Sequence, residues 1–97
     1  MTIDEAIAAI RARGFVATTR PGLGPNRIVA AKQAHYPEDD LKVLDPTREI
    51  VSDGSGWAVL EGVGQRPRTF IPATFIRTEY PTLEEAVSAV IRVLEAA

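Results

Sequence analysis

The chain of 97 residues contains no cysteine, which excludes disulfides, thiolate chemistry and cysteine-ligated zinc. No apolar run approaches the ~20 residues that a membrane helix needs, so no membrane partner is expected. The first residues form an acidic amphipathic segment and not a basic one leading into an apolar stretch, so no secretory leader is expected either. A cytoplasmic location is the resulting expectation. Histidine occurs once, at His35. Asp39, Asp40, Asp45 and Asp53 are available to it, but none falls at a metal-ligand spacing such as His-x-x-x-His or the calcium-loop pattern. These carboxylates read as solvated turn residues, and no metal or cofactor is implied.

Hydrophobic residues at 45% and charged residues at 25% are ordinary for a folded chain, so disorder is not expected and one domain spanning residues 1–97 is. The net charge of −2 conceals a dipole: residues 1–35 balance to +3 and residues 36–61 to −5. A dedicated nucleic-acid binder shows a larger basic excess, whereas a two-signed surface suits a protein partner. Nine of the eleven basic residues are Arg, and Ala is abundant, a composition that hints at a GC-rich bacterial genome.

The best-specified element is the stretch from Thr82 to Ala97. Leu83, Ala86, Val87, Val90, Leu94 and Ala97 recur on one helical face, with Glu84, Glu85, Ser88, Arg92 and Glu95 on the other. Thr82 and Glu85 form a capping box. Thr2 and Glu5 repeat the device at the other terminus, where Ile3, Ala6, Ile7 and Ile10 make the stripe. Gly14 suits the left-handed position beyond that helix, with Phe15 folding back onto Ile10. Between the helices, strands are predicted at Phe15–Thr19, Ile28–Gln33, Leu41–Leu44, Glu49–Ser52, Trp57–Glu61, Arg68–Ile71 and Phe75–Thr78. Turns are predicted at residues 20–26, 36–40, 45–48, 53–56 and 62–67. The close spacing of turns predicts an antiparallel meander. The expected fold is α+β: helix, four to six antiparallel strands, helix, with both helices on one face.

Two helices ~10 Å wide cover about four strands spaced ~4.8 Å apart. Ile28-Val29-Ala30-Ala31 and Trp57-Ala58-Val59-Leu60 put apolar groups on both faces, so either the sheet curls on itself or, the favoured expectation, its bare second face is covered by another chain. That cover is either a second copy, giving a homodimer, or a different protein.

Catalytic patterns are weak. Gly54-Ser55-Gly56 precedes a strand, whereas a nucleophile elbow leads into a helix, so Ser52 and Ser55 read as hairpin residues. Gly22-x-Gly24 and Gly62-x-Gly64 open no helix and are not phosphate loops. No catalytic residue is assigned. Arg20, Arg27, Arg66 and Arg68 flank two loops and would form a guanidinium patch for phosphate or carboxylate groups if those loops share one end of the sheet. Tyr36 and Trp57 are the candidate aromatic anchors. These six residues make up the expected protein-binding set. The expectation is a non-enzymatic protein-binding module, an adaptor or a small inhibitor of the antitoxin or immunity type. A small-ligand-binding protein using His35 and the Arg loops is a weaker alternative. So is a nucleic-acid-binding domain. Helix–strands–helix order is shared with double-stranded-RNA-binding folds, but Glu84 and Glu85 stand where a phosphate would approach the last helix.

Overall fold

A computed structural model of the chain describes residues 1–19, 27–35, 42–52, 54, 56–64 and 73–97, with the side chains of 34, 35 and 42–45 outside that description. The elements are α1 (Ile3–Ala12), β1 (Val16–Thr19), β2 (Arg27–His35), β3 (Lys42–Ser52), β4 (Trp57–Val63), β5 (Thr74–Tyr80) and α2 (Leu83–Ala96). The strands form one antiparallel sheet in the order β1-β2-β3-β4-β5, so the expected α+β meander is the observed fold.

The helix signals in the sequence translate directly into contacts. At α1 the capping box is complete. The Glu5 amide donates to Thr2 Oγ1 at 3.1 Å and the Thr2 amide donates to Glu5 Oε1 at 3.0 Å. These bonds to Thr2 hold the Glu5 carboxyl below its ordinary range. Gly14 takes φ +87° and its amide donates to the Arg11 carbonyl at 2.9 Å, one of the two hydrogen bonds of the predicted helix stop. At α2 one half of the box forms, the Glu85 amide donating to Thr82 Oγ1 at 3.2 Å. The adjacent Glu84 carboxylate instead meets the Met1 ammonium at 2.9 Å, and its pKa is lowered by that contact. Arg13 and Glu95 meet at 3.0 Å near the opposite ends of the helices. The two helices therefore run parallel, start beside start and end beside end.

Their stripes share one core with one face of the sheet. Ala6 and Ile10 of α1 and Leu83, Ala86, Val87, Val90 and Leu94 of α2 pack with Ala17, Ile28, Ala30, Ile50 and Val59. The predicted stripe of α2 is corrected at one position: Ala97 lies past the helix and is exposed, while Ala89 is buried. The α2 helix starts beside the proximal end of the sheet, where Tyr80 pairs with Trp57. Lys32 of β2 donates to the backbone oxygen of Ala97, so α2 crosses the sheet diagonally toward β2.

Residues 45–48 are not a turn. β3 runs through them as one strand, with a register shift between the pairs Ala31–Thr47 and Gln33–Leu44. Two residues, Asp45 and Pro46, stand opposite Lys32 alone, which is the count of a β-bulge. A proline has no amide proton for the ladder, and a bulge is the position inside a sheet that tolerates it. The predicted strand at 68–71 and the predicted turns at 20–26 and 36–40 lie outside the described residues.

The expectation of a bare second face is also corrected. Val29, Ala31 and Ala58 alternate away from the helices, yet they are buried within the single chain. In their cross-strand rows the alanines sit between larger side chains, Ala31 between Val16 and Thr47 and Ala58 between Val51 and Glu79, while Val29 lies between Thr18 and Glu49. Small residues among larger neighbours leave little apolar area for water to reach.

Two measurements check this packing. Leu94→Ala, which empties a fully buried site in the helix–sheet seam, is expected to lower unfolding free energy in urea by about 2–5 kcal/mol. Because the Glu5 pKa is depressed in the folded chain, its stabilising contribution exists above the ordinary carboxylate range and fades as pH falls. Glu5→Gln should therefore be less stable than the parent above pH ~5 and converge with it only as pH falls through the lowered carboxyl pKa of the folded chain.

Candidate functional site

The diagonal path of α2 leaves one corner of the sheet without a helix above it: the distal end of β4 and β5, around Val63 and Thr74. β5 forms an edge of the sheet, and Thr74–Glu79 are all exposed. Alternation sends Ile76, Thr78 and Tyr80 to the helix side and Phe75, Arg77 and Glu79 to the other. The large exposed apolar side chains of this corner are Ile76 at 53%, Phe75 at 43% and Val63 at 39% exposure. They appear on both faces of the sheet, unlike the shielded centre.

On the helix side, the space between α2 and this corner is an open cleft of about 310 Å³, lined in part by Arg48, Glu61, Ile76, Thr78, Tyr80 and Arg92. Arg48 reaches across from β3, its Nη2 lying 3.4 Å from Glu61 Oε1 while Nη1 donates to the Thr47 carbonyl at 2.7 Å. The carboxylate in the cleft is thus already held by a guanidinium. What the lining offers is apolar surface with hydroxyl and guanidinium groups at its rim, a set suited to recognition. Among the described residues, no group of three or more His, Asp or Glu side chains is placed to hold a metal ion. Nor is any helix among the described residues long and apolar enough to cross a membrane. The chain matches no family model, no curated protein and no solved structure.

Of the predicted site residues two are described, Arg27 and Trp57, and neither lines this cleft. Arg27 opens β2 and forms a two-pronged pair with Glu49, Nη2 to Oε2 at 2.9 Å and Nε to Oε1 at 3.3 Å. The pair lies on the face away from the helices, and Glu49 is nearly buried there. Trp57 faces the helices, is half-buried and packs against the core beside Tyr80. Arg20, Tyr36, Arg66 and Arg68 lie outside the described residues. The strand ends that anchor the two Arg-bearing loops are described, however. Thr19 and Arg27 sit at the proximal end, while Val63 and Thr74 sit at the distal end. Five residues of β4 separate these levels, roughly 17 Å at 3.3 Å per residue. The two loops are thus anchored at opposite ends of the sheet.

His35 closes β2 opposite Lys42. Ser52 closes β3 at the β3–β4 hairpin: its hydroxyl donates to the Gly56 carbonyl and accepts from the Gly54 amide, both at 3.4 Å, while Ser55 lies outside the described residues. Gly54 takes φ +91° there, a left-handed conformation that suits glycine. The residues that sequence reading passed over are Val63, Phe75, Ile76, Arg77 and Glu79. One signal was present: Phe75 and Ile76 are consecutive, so they must fall on opposite faces, and the last strand of a meander is an edge.

A substitution distinguishes support from recognition at Arg27. If the guanidinium chiefly solvates Glu49, Arg27→Ala strands a carboxylate in a nearly buried position. Unfolding free energy should then fall by about 1–3 kcal/mol in a urea titration, whereas a spare recognition arginine would leave it unchanged.

Proposed function

We propose that the chain is a non-enzymatic protein-binding module, an adaptor or small inhibitor, that engages an extended segment of a protein partner along β5 and the neighbouring cleft. The observation that carries this reading is the exposure of β5 on both faces, with Ile76 on one and Phe75 on the other. An exposed edge strand bearing large apolar groups invites pairing with another chain. Strand addition uses main-chain hydrogen bonds for affinity and side-chain pockets for specificity. β5 supplies the edge, and the cleft beneath α2 supplies the pocket.

Charge favours a protein over a nucleic acid. Four described guanidiniums pair with carboxylates, Arg27–Glu49, Arg48–Glu61, Arg77–Glu79 and Arg13–Glu95, and Arg11 donates to the Ala17 carbonyl. Phosphate binding depends on cationic charge that is not already neutralised. A cytoplasmic setting in a bacterial host belongs to the same reading and rests on the cysteine-free, Arg- and Ala-rich composition.

Placing a photo-reactive residue at Ile76 and irradiating cells that express the chain tests the proposal. A discrete protein adduct, resistant to nuclease and not formed from the exposed helix position Ser88, is the expected result. An adduct that nuclease removes, or none at all, would overturn it.

A further inference from the structure

We infer that the segment docking on β5 is β5 of a second copy, paired antiparallel about a two-fold axis through Thr78. This joins two five-stranded sheets into one of ten strands. The inference rests on the reading of β5 as the docking strand and adds the identity and register of its occupant.

The strand reads Thr74-Phe75-Ile76-Arg77-Thr78-Glu79-Tyr80. A two-fold at Thr78 sets Thr78 opposite itself. Arg77 then faces Glu79 of the second copy, and Glu79 faces its Arg77. Ile76 faces Tyr80 of the second copy, again twice. Directly opposed side chains in an antiparallel pair share a face, so these contacts sort cleanly. The charged pairs fall on the face away from the helices. The Ile76–Tyr80 pairs fall on the helix side, where both residues line the cleft. Each cleft then continues across the axis into its equivalent. An exposed isoleucine gains an aromatic neighbour on the way.

Charge selects this register over its neighbours. A two-fold at Arg77 would set the guanidinium against itself, and one at Glu79 would set the carboxylate against itself; like charges directly opposite are destabilising. A two-fold at Ile76 would set Arg77 against Phe75. The Thr78 register alone among these matches both charges with opposites. Within one chain Arg77 already pairs with Glu79 along the strand. Across the axis the same two groups and their copies form a rectangle in which each carboxylate has a guanidinium beside it and another opposite it. An arrangement that is its own complement is what an isologous interface requires.

The pairing also ends itself. It consumes β5 in both copies and leaves β1, four residues long, as the outer strand at each side. Short edge strands resist further addition. A strand pair that overlaps over residues 76–80 of each copy, with one shared cleft, sits at the small end of the interface range, so association that reverses on dilution is expected.

Sedimentation across a wide concentration range, with charge-swapped variants, tests the inference. The parent should convert from monomer to dimer as concentration rises. Arg77→Glu and Glu79→Arg, each creating two like-charge oppositions, should each weaken association by about tenfold or more. The double swap R77E/E79R restores both oppositions in reversed sense and should restore dimerisation. Both side chains are exposed, and urea midpoints check that all variants fold. A parent that stays monomeric at every concentration would overturn self-pairing. The parent reading of β5 as a docking strand would then stand or fall separately, according to whether Ile76 yields an adduct heavier than the chain by a mass other than its own. A dimer indifferent to the single swaps, or one the double swap fails to rescue, would overturn the register.

Discussion

Everything in this fold depends on one apolar seam, where the stripe of α2 lies against Ile28, Ile50 and Val59. Helix α2 draws its stability from that contact, because a fourteen-residue helix is marginal alone in water. Among the described residues, the helical cover of the sheet comes from α2 and α1. Both helices are fixed in direction by contacts at their ends, Met1 with Glu84 and Arg13 with Glu95. Those exposed ion pairs add little stability individually, but they mark the outcome of the packing: two parallel cylinders laid obliquely over five strands.

The oblique path decides where the shortage of cover falls. Two helices span about four strands, and the crossing carries the end of α2 toward β2. The uncovered remainder is therefore not the whole second face but one corner, the distal part of β4 and β5. At the centre of the second face two buried alanines lie among larger neighbours, and Val29 is buried beside Glu49 of the Arg27–Glu49 pair. Apolar exposure and the open cleft coincide at the same corner because both follow from the missing helix.

What could be read beforehand divides along local and non-local lines. The helices and the cap at Thr2 were legible because periodicity and capping involve residues three or four apart. The β3–β4 hairpin was legible because the bonds of Ser52 to Gly54 and Gly56 span only a few residues. Pro46 misled, since a proline beside an aspartate signals a turn unless a partner strand absorbs it as a bulge, and that partner is β2. Arg27 read as a loop recogniser because Glu49 is distant in sequence and adjacent only across two strands. Apolar residues at Val29, Ala31 and Ala58 suggested a bare face because their shielding depends on the sizes of cross-strand neighbours, which register alone reveals. The strand Thr74–Tyr80 looks no different in composition from an interior one. Its exposure is a property of where α2 goes.

Arg77 and Glu79 give the edge a double character. Charged side chains on an outer strand are a common protection against indiscriminate pairing, and an edge carrying Phe75 and Ile76 without them would present a flat apolar template. Charges of one sign would simply repel every copy of the same strand. Charges of opposite sign, two residues apart on one face, repel most alignments and favour the one that exchanges them. Protection against aggregation and selection of a partner are then the same electrostatic property seen in different registers. A chain with two helices for five strands has a corner that water covers poorly, and this charge pattern narrows which strand can cover it instead.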